Sequence, residues 1–480
     1  MTLEEAKSAV SGLCREQAAR WREAAMEVYE AAELNWREGR SAEALCRMLE
    51  EAGFSVERGV HGMPTAFEAT AGTKGPVIAF LCEYDALAGL SQQAGVPERR
   101  ETHAGGAGHG CGHNLLGAAS AGAACALKAY ADKTGLAVTV KCFGCPAEED
   151  GGGKVFLARA GAFDHVDAAF TWHPGSANYV CGQGTLAVTG VMYRFAGRTA
   201  HAAAAPYAGR SALDACELMN VGCNYLREHI IPEARLHYAY RDSGPLAPNV
   251  VPDHACLHYY IRAPHVAEMM DIKRRVDDVA RGAALMTGTQ LTITEVDGFS
   301  DYVPNRALSE LVQTVFEAVG APAFTDEDRA LAAQFRSTIP ESERESNIAN
   351  DCRASCRPRS YYGDKVLDDT VPPEPWEPHV AEPGSTDVGD VSQCAPTAQF
   401  YVATMALGTG GHTWQMTAQS GCEIGWKGME KAAEIMALSG ALAAADPELL
   451  ARAKQELRET LPDGYFCPMP ANARPEPPKD

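Results

Sequence analysis

The sequence lacks several signatures that would assign a function at once. It contains no P-loop, no HEXXH zinc motif, no glycine fingerprint of a dinucleotide-binding fold and no short repeat. Its longest weakly polar run, residues 115–127, is too short to span a bilayer. The N-terminal residues show no basic segment followed by an apolar one, so no secretory signal is expected. These absences predict a soluble protein of the cell interior.

Basic residues are also in short supply. The chain has 42 lysines and arginines against 63 aspartates and glutamates, which gives a formal net charge of −21. Such a charge argues against nucleic acids and anionic membranes as partners, although a local cationic site could still bind a small anion. The 16 cysteines are scattered through a long chain, many of them in apolar runs, which favours reduced thiols and a cytoplasmic location.

The order of strands and helices predicts an α/β protein with an insertion. With 480 residues, the chain is too long for one ordinary core. Residues 1–187 alternate strands with helices, which favours a mostly parallel sheet flanked by helices. Residues 188–298 follow the order βαββαβ, which predicts a compact ferredoxin-like unit. We expect residues 299–460 to rejoin the first domain, residues 325–385 to be surface loop with short elements, and residues 461–480 to form a poorly ordered tail.

Polar side chains collect where the predicted strands end. The apolar run 76–85 ends at Asp85, the run 136–150 reaches Glu148 and Glu149, and the short strand 167–175 ends near His173. Open α/β sheets bind ligands outside the carboxyl ends of their strands. These four side chains are therefore predicted to be neighbours.

The segment "GHGCGHNLLG", residues 108–117, places His109, Cys111 and His113 at alternate positions between glycines. Alone, it could supply metal ligands, a nucleophile with its base, or a tight turn. Together with more distant groups it suggests a ligand set of one thiolate, three imidazoles and one carboxylate: Cys111, His113, Glu149, His173 and His412. This set suits zinc and tolerates manganese or cobalt. Five ligands are too many for one open catalytic ion and fit two ions that share a bridging ligand.

The adjacent pair Glu148 and Glu149 follows a predicted strand. Because successive side chains of an extended chain point to opposite sides, one carboxylate could face a metal while the other faces the attacking water. A carboxylate beside such a water is a natural general base. The plainer alternative is a solvated surface pair.

Seven motifs occur in a meaningful order: "EYDALAGLSQQAG", "GHGCGHNLLG", "GCPAEE", "TWHPG", "GRTAHAAAAP", "PNVVPD" and "GGHTWQ". By these motifs, essentially the whole chain resembles the dinuclear metal amidohydrolases and peptidases that include aminoacylases, carboxypeptidase G and auxin-conjugate hydrolases. The resemblance also covers "GRSALDA", "STDVGDVS" and the proline-rich C-terminus. It implies a catalytic domain, an inserted lid and dimerisation domain, and two divalent ions, Zn²⁺ or Mn²⁺, per chain.

The resemblance also implies roles for individual residues. Glu148 matches the catalytic base, and the five candidate ligands match the family's ligands, with Cys111 in the bridging place. His201 matches a histidine that reaches the active site of a partner and polarises the scissile carbonyl. Asn249 and Arg262 match positions that hold the substrate, Arg262 by clamping a carboxylate. The implied reaction is cleavage of the amide bond of an N-acyl or N-aroyl amino acid, with p-aminobenzoyl-glutamate as the favoured substrate, by a homodimer or a heterodimer of related chains.

Several residues keep alternative roles. His109 matches a family position that is not a ligand, so it is expected either beside the substrate or a ligand, or packed in the turn. Many relatives have an aspartate where this chain has Asn114, which puts a carboxylate role there in doubt. A different enzyme would use Cys111 or Cys145 as a nucleophile with His109 or His113 as its base. A protein of another class would be a non-catalytic subunit that needs a homologous partner.

Overall fold

The computed structural model describes residues 2–373 and 384–476. Its first sheet has the strand order β1-β2-β4-β3-β5-β11-β6. The bounds are β1 Ser55–Arg58, β2 Phe67–Ala71, β3 Val77–Cys82, β4 Thr139–Gly144, β5 Ala168–Gly175, β6 Tyr179–Val180 and β11 Thr397–Ala403. The four central strands β4, β3, β5 and β11 are parallel, whereas β1, β2 and β6 pair antiparallel at the margins. The parallel α/β core predicted from the sequence is confirmed.

Helices cover both faces of this sheet. One face carries α1 Leu3–Ala31, α2 Gly39–Glu51, α3 His113–Thr134, α7 Arg306–Val319, α13 Glu423–Ala445 and α14 Pro447–Thr460. The other carries α4 Gly153–Arg159 and α11 Val388–Cys394. Strand β3 shows why both faces are covered, because Ile78 and Phe80 pack into the first layer while Ala79 and Leu81 pack into the second. A continuous apolar run is what a strand buried on both faces requires.

Small residues allow α3 to lie close to its neighbours. A Cβ on Gly117 would come within 2.6 Å of the Glu83 carbonyl oxygen, and one on Gly122 would lie 2.7 Å from the Trp21 ring. The helix therefore packs tightly against the end of β3 and against α1. This packing fixes the start of α3, where the predicted ligand His113 is located.

The second sheet is antiparallel and has the order β10-β7-β9-β8. Its strands are β7 Ala187–Ala196, β8 Arg235–Asp242, β9 His254–Ala263 and β10 Gln290–Phe299. Helices α5 Ala212–Leu226 and α6 Val266–Thr287 cover one face through a core of their own. The chain order β7-α5-β8-β9-α6-β10 is the ferredoxin-like arrangement expected from the sequence.

Two expectations need correction. Much of the segment predicted to be surface loop is helical: α8 Asp326–Ser337, α9 Glu341–Ala354 and α10 Arg359–Tyr362. A capping box between Thr325 and Asp328 starts α8, and this local signal outweighs the polar composition. The tail is also packed in its described part, since Met469 is buried and Arg159 donates hydrogen bonds to backbone carbonyls of the tail. Residues 374–383 and 477–480 lie outside the described residues.

In the described part of the chain, no helix is both long enough and apolar enough to cross a membrane.

Candidate metal centre and active site

The loop before α3 presents two of the predicted ligands, Cys111 and His113. Gly112 has a φ of +77° and starts the helix, so His113 lies at its first position. Gly110 lies where the backbone is crowded: its carbonyl accepts a hydrogen bond of 2.8 Å from the His412 backbone N–H, and a Cβ there would come within 2.3 Å of Leu90 Cδ1. The glycine therefore leaves room for the Leu90 side chain, and the backbone hydrogen bond joins this loop to the loop that carries His412.

The five predicted ligands converge into two overlapping groups. The candidate ligand atoms of Cys111, His113 and His173 all lie within 4.8 Å of one another, and so do those of Cys111, Glu149 and His412. Cys111 Sγ is 3.5 Å from His173 Nε2, and His412 Nε2 is 3.2 Å from Glu149 Oε2. Cys111 thus belongs to both groups, which is the arrangement expected of a ligand shared by two ions.

Two buried atoms at this centre show that the residues fit metal ions. Among the described residues, His113 Nε2 and Glu149 Oε1 are buried and have no hydrogen-bond partner. Such atoms are costly unless something else satisfies them. An imidazole nitrogen, a thiolate and a carboxylate that meet at one point match the donor set of a zinc or manganese site.

Hydrogen bonds around the centre orient the imidazoles. Asp85 Oδ1 lies 2.8 Å from His113 Nδ1, and the backbone carbonyl of Pro174 lies 2.8 Å from His173 Nδ1. Each acceptor holds a proton on Nδ1 and leaves Nε2 directed into the centre. Asp85 also accepts a 2.9 Å hydrogen bond from the Glu149 backbone N–H, so one carboxylate positions two ligands.

The electrostatics of the cluster favour the charged forms of its members. Burial and Glu149 would raise the pKa of Cys111, but the positive charges of His173 and His113 lower it to about 6. Burial would likewise raise the pKa of Glu149, yet the hydrogen bond from His412 and the charge of His113 lower it to about 2. Hydrogen bonds to Cys111 and Glu149 raise the pKa of His412 to about 10. A metal ion would take the place of these protons.

Glu148 lies beside the cluster with a different environment. Burial, followed by the negative charges of Glu83 and Asp387, raises the pKa of Glu148 well above its usual range. Its Oε1 accepts a 2.7 Å hydrogen bond from the Thr386 hydroxyl, and the side chain lines a cavity in front of the ligand cluster. Adjacent glutamates thus have pKa values shifted in opposite directions, as expected when one is a ligand and the other exchanges protons.

A buried charge network near Glu148 was not predicted from the sequence. Lys154 Nζ lies 2.7 Å from Glu83 Oε1 and 2.5 Å from Asp387 Oδ1, and all three side chains are buried. Glu83 Oε2 lies 3.3 Å from His113 Nε2, so the network touches the ligand cluster. The available signals were a glutamate two residues before Asp85 and a lysine at the start of an apolar helix, which demands a buried partner.

The cavity in front of the cluster has a volume of about 440 Å³. Both sheets contribute to its wall. From the second sheet, Arg262 and Phe299 each pair in register with Val188, so the three side chains lie side by side on the face away from α5 and α6. Arg262 Nη1 donates a 2.8 Å hydrogen bond to Ser385 Oγ. The structure therefore brings Arg262 to the cavity, as its predicted substrate role requires.

His201 and Asn249 lie elsewhere. Both are exposed, and neither belongs to the cavity wall formed by the described residues. His201 Nδ1 accepts hydrogen bonds from the backbone of Ala203 and Ala204 in its own loop, while the Asn249 carbonyl accepts one from Ala202. Within one chain, these two residues are not brought to the ligand cluster.

Other candidates from the sequence have packing positions. The buried His109 places Nε2 3.0 Å from the Val28 carbonyl in α1 and does not line the cavity, which agrees with the turn-packing alternative. Asn114 donates a 3.0 Å hydrogen bond to the Ser420 carbonyl and so ties α3 to α12 Trp414–Ser420. Cys145 is fully buried, and burial raises its pKa well above the usual range, which is unfavourable for a nucleophile.

Comparison with known proteins places the chain in a family. The family model described as peptidase family M20/M25/M40 matches residues 79–465. The chain belongs to this family. As a member of the M20/M25/M40 peptidases, it is a hydrolase, and its ligand cluster lies within the matched region.

Individual relatives extend the match over most of the chain. The chain is 42% identical to one of the subunits of the p-aminobenzoyl-glutamate hydrolase of Escherichia coli, over 95% of this chain and 96% of that protein. It is 30% identical to the mouse Xaa-Arg dipeptidase, over 90% of this chain and 87% of that protein. The fold is similar to a Bacillus subtilis structure described as a dinuclear metal binding peptidase from the M20 family, with a TM-score of 0.58, 16% identity, and coverage of 90% of this chain and 99% of that one.

Proposed function

We propose that this M20/M25/M40 family member is a dinuclear metallohydrolase that cleaves the amide bond of N-acyl or N-aroyl amino acids. The observation that carries the proposal is the pair of overlapping ligand groups that share Cys111. p-Aminobenzoyl-glutamate is the first candidate substrate, because the 42% identical relative is named for its hydrolysis. A dipeptide is the second candidate, because another relative is named a dipeptidase.

Two divalent ions, Zn²⁺ or Mn²⁺, would be held by the two groups. Cys111, His113 and His173 would hold one ion, and Cys111, Glu149 and His412 the other. When bound, such ions supply Lewis acidity and lower the pKa of coordinated water. The two ions together carry more positive charge than the cluster's anionic ligands remove, so an anionic substrate is favoured.

In this proposal Glu148 moves the proton. Its carboxylate takes a proton from the attacking water and later delivers it to the leaving nitrogen. The raised pKa of Glu148, caused first by burial, suits a group that must hold the proton between these two steps. Arg262 on the cavity wall would pair with a carboxylate of the substrate, since its guanidinium presents a planar donor pair.

His201 and Asn249 would act across a dimer interface. Their exposure, away from the cavity, is what a residue that serves a neighbouring chain requires. Helix α5 also carries apolar side chains on its outer surface: Leu218 is 36% exposed, Val221 51% and Tyr225 76%. The spacing of three and four residues places them on one stripe, which supports association through the second sheet and its helices.

The dimer partner is either an identical chain or a related one. The 42% identical relative is named as one subunit of its hydrolase, which supports the second alternative, in which the chain reaches full activity only with a homologous partner. A cytoplasmic location is part of the proposal, because no disulfide joins any of the sixteen cysteines, all of which lie in the described residues.

A substrate screen tests this function. The purified chain, stripped of metal and reconstituted with Zn²⁺ or Mn²⁺, is assayed against p-aminobenzoyl-glutamate, other N-acyl amino acids and Xaa-Arg dipeptides, and the amine released is measured. We expect hydrolysis of at least one class, with p-aminobenzoyl-glutamate preferred. Activity against esters alone, or none with any metal and any related partner chain, would refute the proposal.

Chelation and alkylation separate the metal mechanism from a cysteine nucleophile. A cysteine hydrolase should survive EDTA and lose activity with iodoacetamide. The proposed enzyme should lose activity with EDTA and recover when metal is returned. Metal-loaded protein should also be protected from alkylation at Cys111, which mass spectrometry of the Cys111 peptide would measure.

A further inference from the structure

The segment Ser385–Asp387, within the motif "STDVGDVS", is not explained by the ligand set. It precedes α11, and Ser385 and Thr386 both line the cavity. Each of its three side chains contacts a different functional element. The segment therefore connects groups that are far apart in the sequence.

Thr386 contacts the proposed base directly. Its hydroxyl donates a 2.7 Å hydrogen bond to Glu148 Oε1 and accepts a 3.3 Å hydrogen bond from the Val388 backbone N–H. The accepted bond occupies one lone pair of the hydroxyl and leaves its proton for Glu148. One oxygen of the base is thus engaged, which leaves Oε2 to exchange a proton with water or substrate.

The residues on either side fix Thr386 in place. Ser385 accepts a hydrogen bond from Arg262 at 2.8 Å and donates one to the Leu186 carbonyl at 2.6 Å. Asp387 accepts from the Lys154 backbone N–H at 2.9 Å and from Lys154 Nζ at 2.5 Å, where both side chains are buried. A backbone anchored on both sides gives the Thr386 hydroxyl a fixed position.

We propose that Thr386 is a positioning residue that holds Glu148 by Oε1 and so makes Oε2 the oxygen that accepts and returns the proton. The same segment holds Arg262, so one short stretch of backbone positions both the base and the proposed carboxylate clamp. This inference rests on the proposed role of Glu148 as general base. It predicts an effect on the chemical step and little effect on substrate binding.

The test compares variants of the metal-reconstituted full chain. Thr386→Val keeps the shape of the side chain and removes the hydroxyl, and we expect kcat to fall about 10- to 100-fold, the range for a hydrogen bond to a charged group. KM should change less than about twofold, because the lost interaction serves the reaction step. Thr386→Ser keeps the hydroxyl and should retain kcat within about threefold. Thr171→Val is the matched control, because the Thr171 hydroxyl is buried and has no hydrogen-bond partner in the described part of the chain.

Metal content and melting temperature are measured for every variant, and Glu148→Gln is made alone and together with Thr386→Val. In the Glu148→Gln background, Thr386→Val should cause no further loss of kcat. If Glu148→Gln retains turnover, the proposed role of Glu148 as base fails and the positioning role fails with it. If Glu148→Gln is inactive while Thr386→Val is normal, only the positioning role is refuted. An equal loss in Thr386→Ser and Thr386→Val, or a loss of bound metal, would overturn it as well.

Discussion

The carboxyl ends of the strands in the first sheet and the exposed loops of the second sheet are organised in opposite ways. At the strand ends, Cys111, His173 and Glu149 converge within one chain, and buried groups fix their orientations. In the loops that follow β7 and β8, His201 and Asn249 are exposed; His201 Nδ1 accepts hydrogen bonds from its own loop, and the Asn249 carbonyl accepts one from Ala202. The proposed ligand set is therefore complete in a single chain, whereas the proposed contribution from His201 needs a second molecule.

This difference separates two kinds of residue. The ligand cluster follows from the fold of one chain, so substitutions there should act without regard to oligomeric state. His201 and Asn249 can act only where their loops meet the cavity of a second chain. Substitutions there should therefore be rescued by a partner chain that carries the intact residue. Variants of the ligand cluster and variants of the exposed loops should therefore behave differently when chains are mixed.

Removing a metal ligand should have the largest effect, because the proposed reaction depends on the bound ions. His173→Ala should bind less metal than the parent chain and lose activity below detection, since one group would keep only two protein ligands. His61→Ala is the matched control, because His61 pairs with Glu68 and belongs neither to a ligand group nor to the cavity wall. Elemental analysis and turnover of both variants check the prediction. Full activity in His173→Ala at normal metal content would contradict the assignment.

Replacing the base should have the next largest effect. Glu148→Gln should keep both metals and lower kcat about 10²- to 10⁴-fold, the usual contribution of a general acid or base. Glu57→Gln, an exposed glutamate on β1, serves as the control for loss of a charge. Near-normal turnover in Glu148→Gln would show that another group moves the proton.

More of the fold could be predicted from the sequence than of the residues that surround and orient the ligands. Apolar runs that end in acids indicated β3 and β4, a short run that ends near His173 indicated β5, and the βαββαβ order indicated the second sheet, because these patterns can be read from the sequence alone. The margins were not predicted, since β1, β2 and the two-residue β6 are short and depend on pairing with distant strands. Helices α8 to α10 were missed because polar composition hid capping and packing signals.

At the site, sequence motifs predicted the ligands but did not predict the buried residues that surround them. Cys111 and His113 are close together in a distinctive segment, and the distant His412 lies in the motif "GGHTWQ" and completes the donor set. Lys154 and Asp387 are separated by more than two hundred residues, and only folding shows that they pair beside Glu148. The orientation of His109 toward α1 likewise depends on tertiary packing that no local pattern encodes.

A mixing experiment tests the exposed loop directly. His201→Ala should lower kcat about 10²- to 10³-fold if the imidazole stabilises an oxyanion. Mixing it with Glu148→Gln should restore activity, because a mixed dimer has one cavity with an intact Glu148 and a His201 from the other chain. In an equal mixture of freely exchanging symmetric dimers, about one quarter of the parent activity is expected.

The result of mixing decides between the two forms of partner. Recovery shows a homodimer with His201 acting across the interface. No recovery from well-folded, exchanging chains, with activity regained on adding a related chain, would show a heterodimer. Activity of His201→Ala at the parent level in every combination would remove His201 from the mechanism.

His109 should have the smallest effect on turnover, although it is only two residues from Cys111. Its Nε2 bonds to the Val28 carbonyl, and a glutamine side chain can donate the same hydrogen bond. We expect His109→Gln to retain kcat and metal content. A large loss of turnover, with metal content and melting temperature unchanged, would return His109 to the substrate side of the cavity.

The same variant should alter the dependence of stability on pH. Burial lowers the pKa of His109 to about 3, although the hydrogen bond to the Val28 carbonyl acts in the opposite direction. The unfolded chain, with an imidazole pKa near ~6.5, therefore binds more protons between these values, and the free energy of unfolding falls as pH decreases through that window by up to about 1.4 kcal/mol per pH unit. Urea unfolding of the metal-free chain at pH 7 and pH 5 should show a loss that is about 2 kcal/mol smaller in His109→Gln. An equal loss in both proteins would mean that His109 is solvated or charged in the native state, contrary to its buried position against α1.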